Sequence, residues 1–175
     1  MGKDKTLRQK GKKDLVGKRY FSRADISPYD QLRWTISDVP ITDDEGKVLF
    51  IQRGVEFPED YSGLTRKIIA SRYFYGEGDT QERESSMRQL VGRVTETFGK
   101  WALDQRYVST KEGADVFRDE LAWLTLNQVF AWNSPVWFNV GTDRYEHFPP
   151  DEQRDGYIVN SNGEIDNYTH TLNQE

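Results

Sequence analysis

The clearest pattern in the chain is an apolar stripe with helical spacing in its middle third. From about residue 83, apolar side chains recur every three or four positions, as they do along the buried side of an amphipathic helix. The stripe consists of Met87, Leu90, Val91, Val94, Phe98, Trp101 and Ala102. It predicts a long helix with one face in a core. Arg88, Arg93, Glu96 and Lys100 fall on the opposite face, which we expect to be solvated.

Two weaker patterns predict further helices. Residues 59–74 carry apolar side chains at helical spacing. Another helix is expected to begin at Ser109, which stands three residues ahead of Glu112 as in a capping box, and to extend to Gln128. Glu120 and Gln128 interrupt its apolar side. Each is either a core group satisfied by a partner, which we favour, or a site residue.

Turn residues between apolar runs predict two β-hairpins. The first lies on either side of Asp43-Asp44-Glu45-Gly46, with Pro40 at a sheet edge or strand start. A smaller one is formed by Tyr157-Ile158-Val159 before Asn162-Gly163. Gly76-Glu77-Gly78-Asp79 lacks the spacing of a phosphate-binding loop, so we predict a plain loop there.

Polar and rigid residues interrupt an apolar segment at residues 133–141. The segment reads Asn133-Ser134-Pro135-Val136-Trp137-Phe138-Asn139-Val140-Gly141. We interpret it as a ligand-facing strand whose mouth carries a hydroxyl, a proline and amides. In the alternative interpretation, Ser134-Pro135 only stops a helix and residues 139–141 form a turn.

Composition and charge narrow the class of protein. The chain has 175 residues, a net charge of -5 and 30% charged residues, and it contains no apolar run of about 20 residues. We therefore expect a cytoplasmic protein of one domain, or a piece of a larger one. Residues 1–19 are rich in lysine and predict a disordered basic tail. This tail is either a solubilising leader or a weak handle for polyanions such as nucleic acid.

Two residue types limit the chemistry. The chain has no cysteine, which excludes disulfides, thiolate metal sites and thiol nucleophiles within it. Its two histidines, His147 and His170, are expected at the surface. We therefore predict no catalytic residue and no metal site in this chain.

The order and spacing of several segments resemble the N-terminal region of class II, adenosylcobalamin-dependent ribonucleotide reductases. The resemblance extends over most of residues 20–141. The segments are Pro28-Tyr29-Asp30, Gly46-Lys47-Val48-Leu49-Phe50, Val55-Glu56-Phe57-Pro58, Ile68-Ile69-Ala70-Ser71-Arg72-Tyr73-Phe74, Arg83-Glu84-Ser85-Ser86-Met87-Arg88-Gln89-Leu90, Phe117-Arg118-Asp119-Glu120-Leu121-Ala122-Trp123-Leu124, Asn127-Gln128 and the run from Asn133 to Gly141.

The resemblance implies a fold and a substrate site. The fold is mainly α with a small β-hairpin, and it leads at residues 133–141 into the first strand of a ten-stranded α/β barrel that is absent from this chain. Ser134 occupies the position expected to hydrogen-bond the substrate nucleotide. Pro135 and Asn139 complete the predicted substrate-binding set.

The resemblance also implies chemistry that this chain cannot complete alone. These reductases convert ribonucleotides to deoxyribonucleotides with a thiyl radical generated through adenosylcobalamin, and a cysteine pair reduces the ribose. Residues 142–175 look like a polar insert that precedes the first of those cysteines. We therefore expect a leading fragment, split, interrupted or truncated, that is inactive by itself, with most cofactor contacts elsewhere.

The expected partner is the remaining reductase polypeptide, which would carry the barrel and the cysteines, and the complete enzyme is expected to be a homodimer. The resemblance is closer to the lineage that reduces ribonucleoside diphosphates than to the one that reduces triphosphates. The alternative function is a stand-alone protein-interaction or nucleotide-binding module derived from this region.

Overall fold

The computed structural model describes residues 18–43, 45–76, 78, 80, 83–145, 156–159 and 165–169. The chain divides into two compact units, Met1–Gly141 and Thr142–Glu175. The prediction of a disordered basic tail concerns residues that, except for Lys18 and Arg19, lie outside the described part. His147 and His170 also lie outside it.

The described residues of the first unit combine one two-stranded sheet with four helices. In chain order the elements are β1 (Trp34–Thr42), β2 (Val48–Pro58), α1 (Gly63–Arg72), α2 (Met87–Asp104), α3 (Lys111–Leu126) and α4 (Ser134–Asn139). A short 3-10 helix, Pro28–Gln31, precedes β1. The predicted combination of helices with a small hairpin is therefore confirmed.

Strands β1 and β2 form the predicted hairpin. They pair antiparallel from Trp34 opposite Pro58 to Thr42 opposite Val48. Asp43 Oδ1 closes the turn by accepting from the main-chain N–H groups of Glu45 and Lys47. In a two-stranded sheet both strands are edges, which agrees with the position predicted for Pro40.

Side-chain caps set the starts of the three long helices. Ser62 Oγ accepts from Thr65 N at the start of α1, and Ser86 forms a capping box with Gln89 at the start of α2. The predicted capping box at Ser109 is wrong, because Thr110 is the cap of α3 and accepts from Gly113 N. A threonine hydroxyl can also serve as an N-cap, although serine is preferred.

Helix α2 lies at the centre of the unit, where it contacts β2, α3 and α4. Its predicted stripe is buried at Met87, Leu90, Val91 and Val94, but Trp101 is 37% exposed. The other elements contribute further buried side chains to this core. They include Val55, Phe57, Ala70, Ala122, Leu126 and Trp137. Each fully buried aliphatic or aromatic side chain contributes about 1.5–3 kcal/mol.

Residues 133–141 do not form the predicted first barrel strand; Ser134–Asn139 is a short helix. Pro135 lies in its first turn, where the missing N–H is not needed and the fixed φ suits a helix. Val136, Trp137 and Val140 pack against the core with helical spacing, so the apolar positions favour a helix over a strand. The alternative is wrong at Ser134-Pro135, where a helix starts rather than stops. Its turn at residues 139–141 is confirmed at Val140 and Gly141.

The second unit contains the predicted small hairpin. Strands β3 (Gly156–Val159) and β4 (Ile165–Thr169) pair antiparallel, with Gly156 opposite Thr169. A 3-10 helix, Thr142–Arg144, precedes them. In the whole described part of the chain, no helix has the length and apolar character needed to cross a membrane.

A buried carboxylate attaches the segment before β1 to α3. Glu120 accepts from the main-chain N–H groups of Phe21 and Ser22, at 3.1 and 2.8 Å, and from Ser22 Oγ at 2.5 Å. The Phe21 ring stacks on Trp123 with centroids 5.2 Å apart. Glu120 is therefore a core group satisfied by partners, as favoured from the sequence. Gln128 is instead exposed, with a left-handed φ of 55° just after α3.

The pKa of Glu120 falls below its ordinary value of 4.5, because the hydrogen bonds from Ser22 and Phe21 outweigh the desolvation that raises it. Because the pKa of Glu120 is lower in the folded chain than in the unfolded chain, the ionised carboxylate stabilises the fold at pH values above its ordinary pKa. This stabilisation is lost as the pH falls from the ordinary pKa through the folded-state pKa. Glu120→Gln should cost about 1–3 kcal/mol at neutral pH, since hydrogen bonds to a charged group are removed. Urea unfolding should show that the loss of unfolding free energy caused by Glu120→Gln becomes smaller in acid.

Glu45→Gln, at an exposed turn position, is the matched control. A pH-independent cost for Glu120→Gln would contradict the prediction.

Candidate functional site

A buried ion pair holds the end of α4 against α2. Arg93 and Glu84 are both fully buried, with Nε to Oε1 at 2.9 Å and Nη2 to Oε2 at 3.3 Å. Arg93 also donates from Nη1 to Val140 O at 2.8 Å and from Nη2 to Trp137 O at 3.0 Å. A guanidinium at the carbonyl end of a helix is favourable, and its planar fork suits a carboxylate. The prediction that Arg93 is solvated is therefore wrong.

Glu84 is fixed in turn by the chain around it. Its Oε2 accepts from Tyr75 N at 2.9 Å, and its main-chain O accepts from Gln52 Nε2 at 2.7 Å. Arg83 donates from Nε to Gln52 Oε1 at 3.0 Å. We call Gln52, Arg83, Glu84 and Arg93 the polar network. It links β2, the loop after α1, and helices α2 and α4.

Arg83 ties the polar network to the end of α1. Its Nη2 donates to Ala70 O at 2.5 Å and its Nη1 donates to Gly76 O at 2.6 Å. Both acceptors belong to the chain around the carboxyl end of α1, where main-chain carbonyls lack partners within the helix. Arg83 thus fixes Gly76, the first residue of the segment predicted to be a plain loop. Glu77 and Asp79 of that segment lie outside the described residues.

The backbone after α4 packs directly on α2. Gly141 has a φ of +73°, and a Cβ added there would lie 2.5 Å from Thr97 Oγ1 and would overlap the main-chain oxygen of Arg93. Thr97 Oγ1 itself donates to Arg93 O at 2.8 Å. Only glycine fits this approach without displacement. Helix α2 therefore has a second packed face, which explains why Arg93 is buried.

The three predicted substrate-binding residues lie together on α4. Ser134 is half-buried, and its Oγ lies 3.5 Å from Tyr73 Oη at the end of α1. Pro135 and Asn139 are exposed, and Asn139 Nδ2 donates to Pro135 O at 2.9 Å within the helix. Ser134 thus contacts the end of α1, whereas the hydrogen bond from the Asn139 side-chain amide to Pro135 O lies within α4.

Aromatic rings surround the contact between α1 and α4. The Tyr73 ring lies 6.1 Å from the Trp137 ring and 5.6 Å from the Phe138 ring. A cavity of about 170 Å³ adjoins these side chains. It is lined by Arg72, Tyr73, Phe74, Tyr75, Gly76, Arg93, Trp137 and Phe138. The Tyr73 ring thus gives α4 an apolar contact with the buried Trp137 and with Phe138, which is 49% exposed.

Sequence reasoning missed the polar network, because an isolated charged residue in a helix is most simply solvated. One signal was available for Arg93. It stands in the run Val91-Gly92-Arg93-Val94-Thr95, which carries no other charge, and all five residues are buried. This uncharged, apolar setting is the only hint in the sequence, and it does not identify the partners of Arg93.

Comparison with known proteins gives consistent matches. The family model for class II vitamin B12-dependent ribonucleotide reductase matches residues 35–128. The vitamin B12-dependent ribonucleotide reductase of Streptomyces coelicolor is 41% identical over 145 residues, covering 81% of this chain and 15% of the relative. The enzyme of the same name from Streptomyces avermitilis is 43% identical over 131 residues, covering 74% of this chain and 14% of the relative. That of Rhodopirellula baltica is 43% identical over 116 residues, covering 66% and 11%.

Two limits of these matches bear on the site. The chain spans about 15% or less of the length of these curated relatives. The match to the family model ends at residue 128, before α4. The roles of Ser134, Pro135 and Asn139 in binding substrate therefore stay predictions.

The two cavities found among the described residues are small for adenosylcobalamin. Among them, no group of three or more His, Cys, Asp or Glu side chains could hold a metal ion. Two cavities lined by these residues have volumes of about 420 and 170 Å³. Sites for drug-sized ligands, which are smaller than a corrin cofactor, already measure about 300–1,000 Å³.

The buried pair predicts a large cost for removing one partner. Arg93→Met should destabilise the chain by about 3–5 kcal/mol, because Glu84 is left charged and buried. Urea unfolding measures this cost. Arg23→Met is the matched control, since Arg23 pairs with Asp25 at an exposed position and little change is expected. Equal effects of the two substitutions would contradict the assignment of Arg93.

The close approach at Gly141 predicts a second effect on stability. Gly141→Ala should cost about 2–4 kcal/mol, from left-handed strain together with the overlap with α2. Gly46→Ala provides the control, because Gly46 also has a positive φ, +86°, but nothing lies within 4 Å of an added Cβ. The thermal midpoint should fall further for Gly141→Ala. Similar midpoints would show that the packing on α2 is not tight.

Proposed function

Since the chain belongs to the family of class II vitamin B12-dependent ribonucleotide reductases, we propose that it supplies scaffold and one wall of the substrate pocket in such an enzyme. The chain corresponds to the N-terminal region of these relatives. The complete enzyme would convert a ribonucleotide, in our proposal a ribonucleoside diphosphate, to the deoxyribonucleotide needed for DNA synthesis. The proposed location is the cytoplasm, where these water-soluble nucleotides occur.

The rigid placement of α4 is the observation that carries the proposal. Arg93 holds two carbonyls at the end of the helix, and both Arg93 and Glu84 are fully buried. A binding group is effective only when its supporting residues keep it in place. Ser134, at the start of the same helix, presents a hydroxyl that can donate to and accept from nucleotide oxygens. Pro135 and Asn139 would form the exposed rim of the same wall.

The reducing groups would come from another part of the enzyme. This chain has no cysteine, whereas the proposed reaction uses a thiyl radical and a cysteine pair that is oxidised to a disulfide as the ribose is reduced. We therefore propose that the chain alone makes no deoxyribonucleotide. Its partner would be the remaining reductase polypeptide, with the barrel, the cysteines and most contacts to adenosylcobalamin, and the complete enzyme would be a homodimer.

Exposed apolar side chains near α4 support such a partner. Val129 is 59% exposed and Phe138 is 49% exposed. Nearby, Trp132 stacks on Phe98 with centroids 4.9 Å apart, and its buried indole N–H has no acceptor among the described residues. Exposed apolar side chains of this kind are typical of a protein contact.

Reconstitution tests the proposal. The chain would be mixed with a polypeptide carrying the barrel and cysteines, adenosylcobalamin, a ribonucleoside diphosphate and a dithiol. We expect association and formation of deoxyribonucleotide, and neither polypeptide should be active alone. Association without activity would instead favour an interaction module. Failure to associate would contradict the proposal.

Ser134→Ala in the reconstituted enzyme tests the substrate wall. The KM for the ribonucleotide should rise about 2- to 10-fold, the equivalent of one lost hydrogen bond. Ser85→Ala, at an exposed position outside the site, should leave the KM unchanged. An unchanged KM in Ser134→Ala, in an active complex, would remove Ser134 from the pocket.

A further inference from the structure

Tyr73 connects α1 to the start of α4. It caps the carboxyl end of α1, where its main-chain N–H donates to Ile69 O at 2.9 Å. Its ring faces Trp137 and Phe138, and its Oη lies 3.5 Å from Ser134 Oγ. The two hydroxyls are 61 residues apart in sequence, so their contact is tertiary.

The backbone that carries Tyr73 is fixed on both sides. Arg83 donates to Ala70 O, three residues before Tyr73, and to Gly76 O, three residues after it. The ring is half-buried between α1 and α4. Because both the backbone and the ring are held, the phenol oxygen of Tyr73 has a fixed position. This position is next to Ser134 Oγ.

Either hydroxyl can be the donor in this contact. A phenol is more acidic than an alcohol, so in our inference Tyr73 Oη donates and Ser134 Oγ accepts. The Ser134 hydrogen then remains available for an acceptor such as a phosphate or ribose oxygen. The 3.5 Å distance exceeds the usual range of about 2.5–3.0 Å, and contacts of this kind often tighten when a substrate binds.

We propose that Tyr73 is a positioning residue, which orients the Ser134 hydroxyl toward the substrate nucleotide without contacting the nucleotide itself. The inference rests on the proposed function, in which Ser134 forms part of the substrate wall. It adds a residue of α1 to a site otherwise built from α4. The Tyr73 ring supports α4, and its hydroxyl sets the direction of the serine hydrogen.

A double-mutant cycle in the reconstituted reductase tests this role. Tyr73→Phe keeps the ring and its packing but removes the hydroxyl, so the KM for a ribonucleoside diphosphate should rise about 2- to 5-fold while kcat changes less than about twofold. Adding Tyr73→Phe to Ser134→Ala should raise the KM no further, because the serine hydroxyl is already gone. Tyr20→Phe, at a position 71% exposed, is the matched control and should change neither constant.

The outcomes separate this inference from the proposed function. If Ser134→Ala raises the KM and Tyr73→Phe adds the same factor with or without Ser134, Tyr73 does not act through the serine and the inference is wrong. If Ser134→Ala leaves the KM unchanged, the substrate wall itself fails, and the inference with it.

Discussion

The buried pair between Arg93 and Glu84 is the interaction on which the rest of the first unit depends. Taking two charges out of water costs several kcal/mol per ion, and this cost is offset only when each remaining donor and acceptor has a partner. Arg93 meets this condition with two carbonyls of α4, and Glu84 meets it with Tyr75 N. The pair therefore requires that α2, α4 and the loop after α1 be in place together.

This requirement links folding to the proposed site. Apolar packing around Leu90 and Val94 could accommodate small shifts of α4, since hydrophobic contact has no direction. Hydrogen bonds from a buried guanidinium do have direction, and they hold the carboxyl end of α4 at fixed distances from α2. The amino end of the same helix carries Ser134 beside Tyr73. A polar contact in the core thus determines where the predicted substrate wall lies.

Sequence patterns predicted the elements whose signal is local. The stripe through Leu90 and Val94 indicated α2, and the turn at Gly46 indicated the β1–β2 hairpin. The placement of Arg93 could not be predicted, because it depends on a backbone 47 residues away. The interrupted apolar pattern and the family resemblance both predicted a strand at residues 133–141. Pro135 in a first turn and the spacing of the apolar residues instead suit the observed helix. Ser134, Pro135 and Asn139 lie together on α4, but their role in binding substrate stays a prediction. The contact of Ser134 with Tyr73 has no signature in sequence.

Hydrogen exchange at the main-chain amides of Trp137 and Val140 tests the central claim most directly. Both amides donate within α4, to Asn133 O and Val136 O. If Arg93 holds this helix in place, Arg93→Met should remove the protection of these two amides while those in the middle of α2, such as Val94, remain protected. Unchanged protection at Trp137 and Val140 would show that α4 is held by apolar packing alone and would contradict the account.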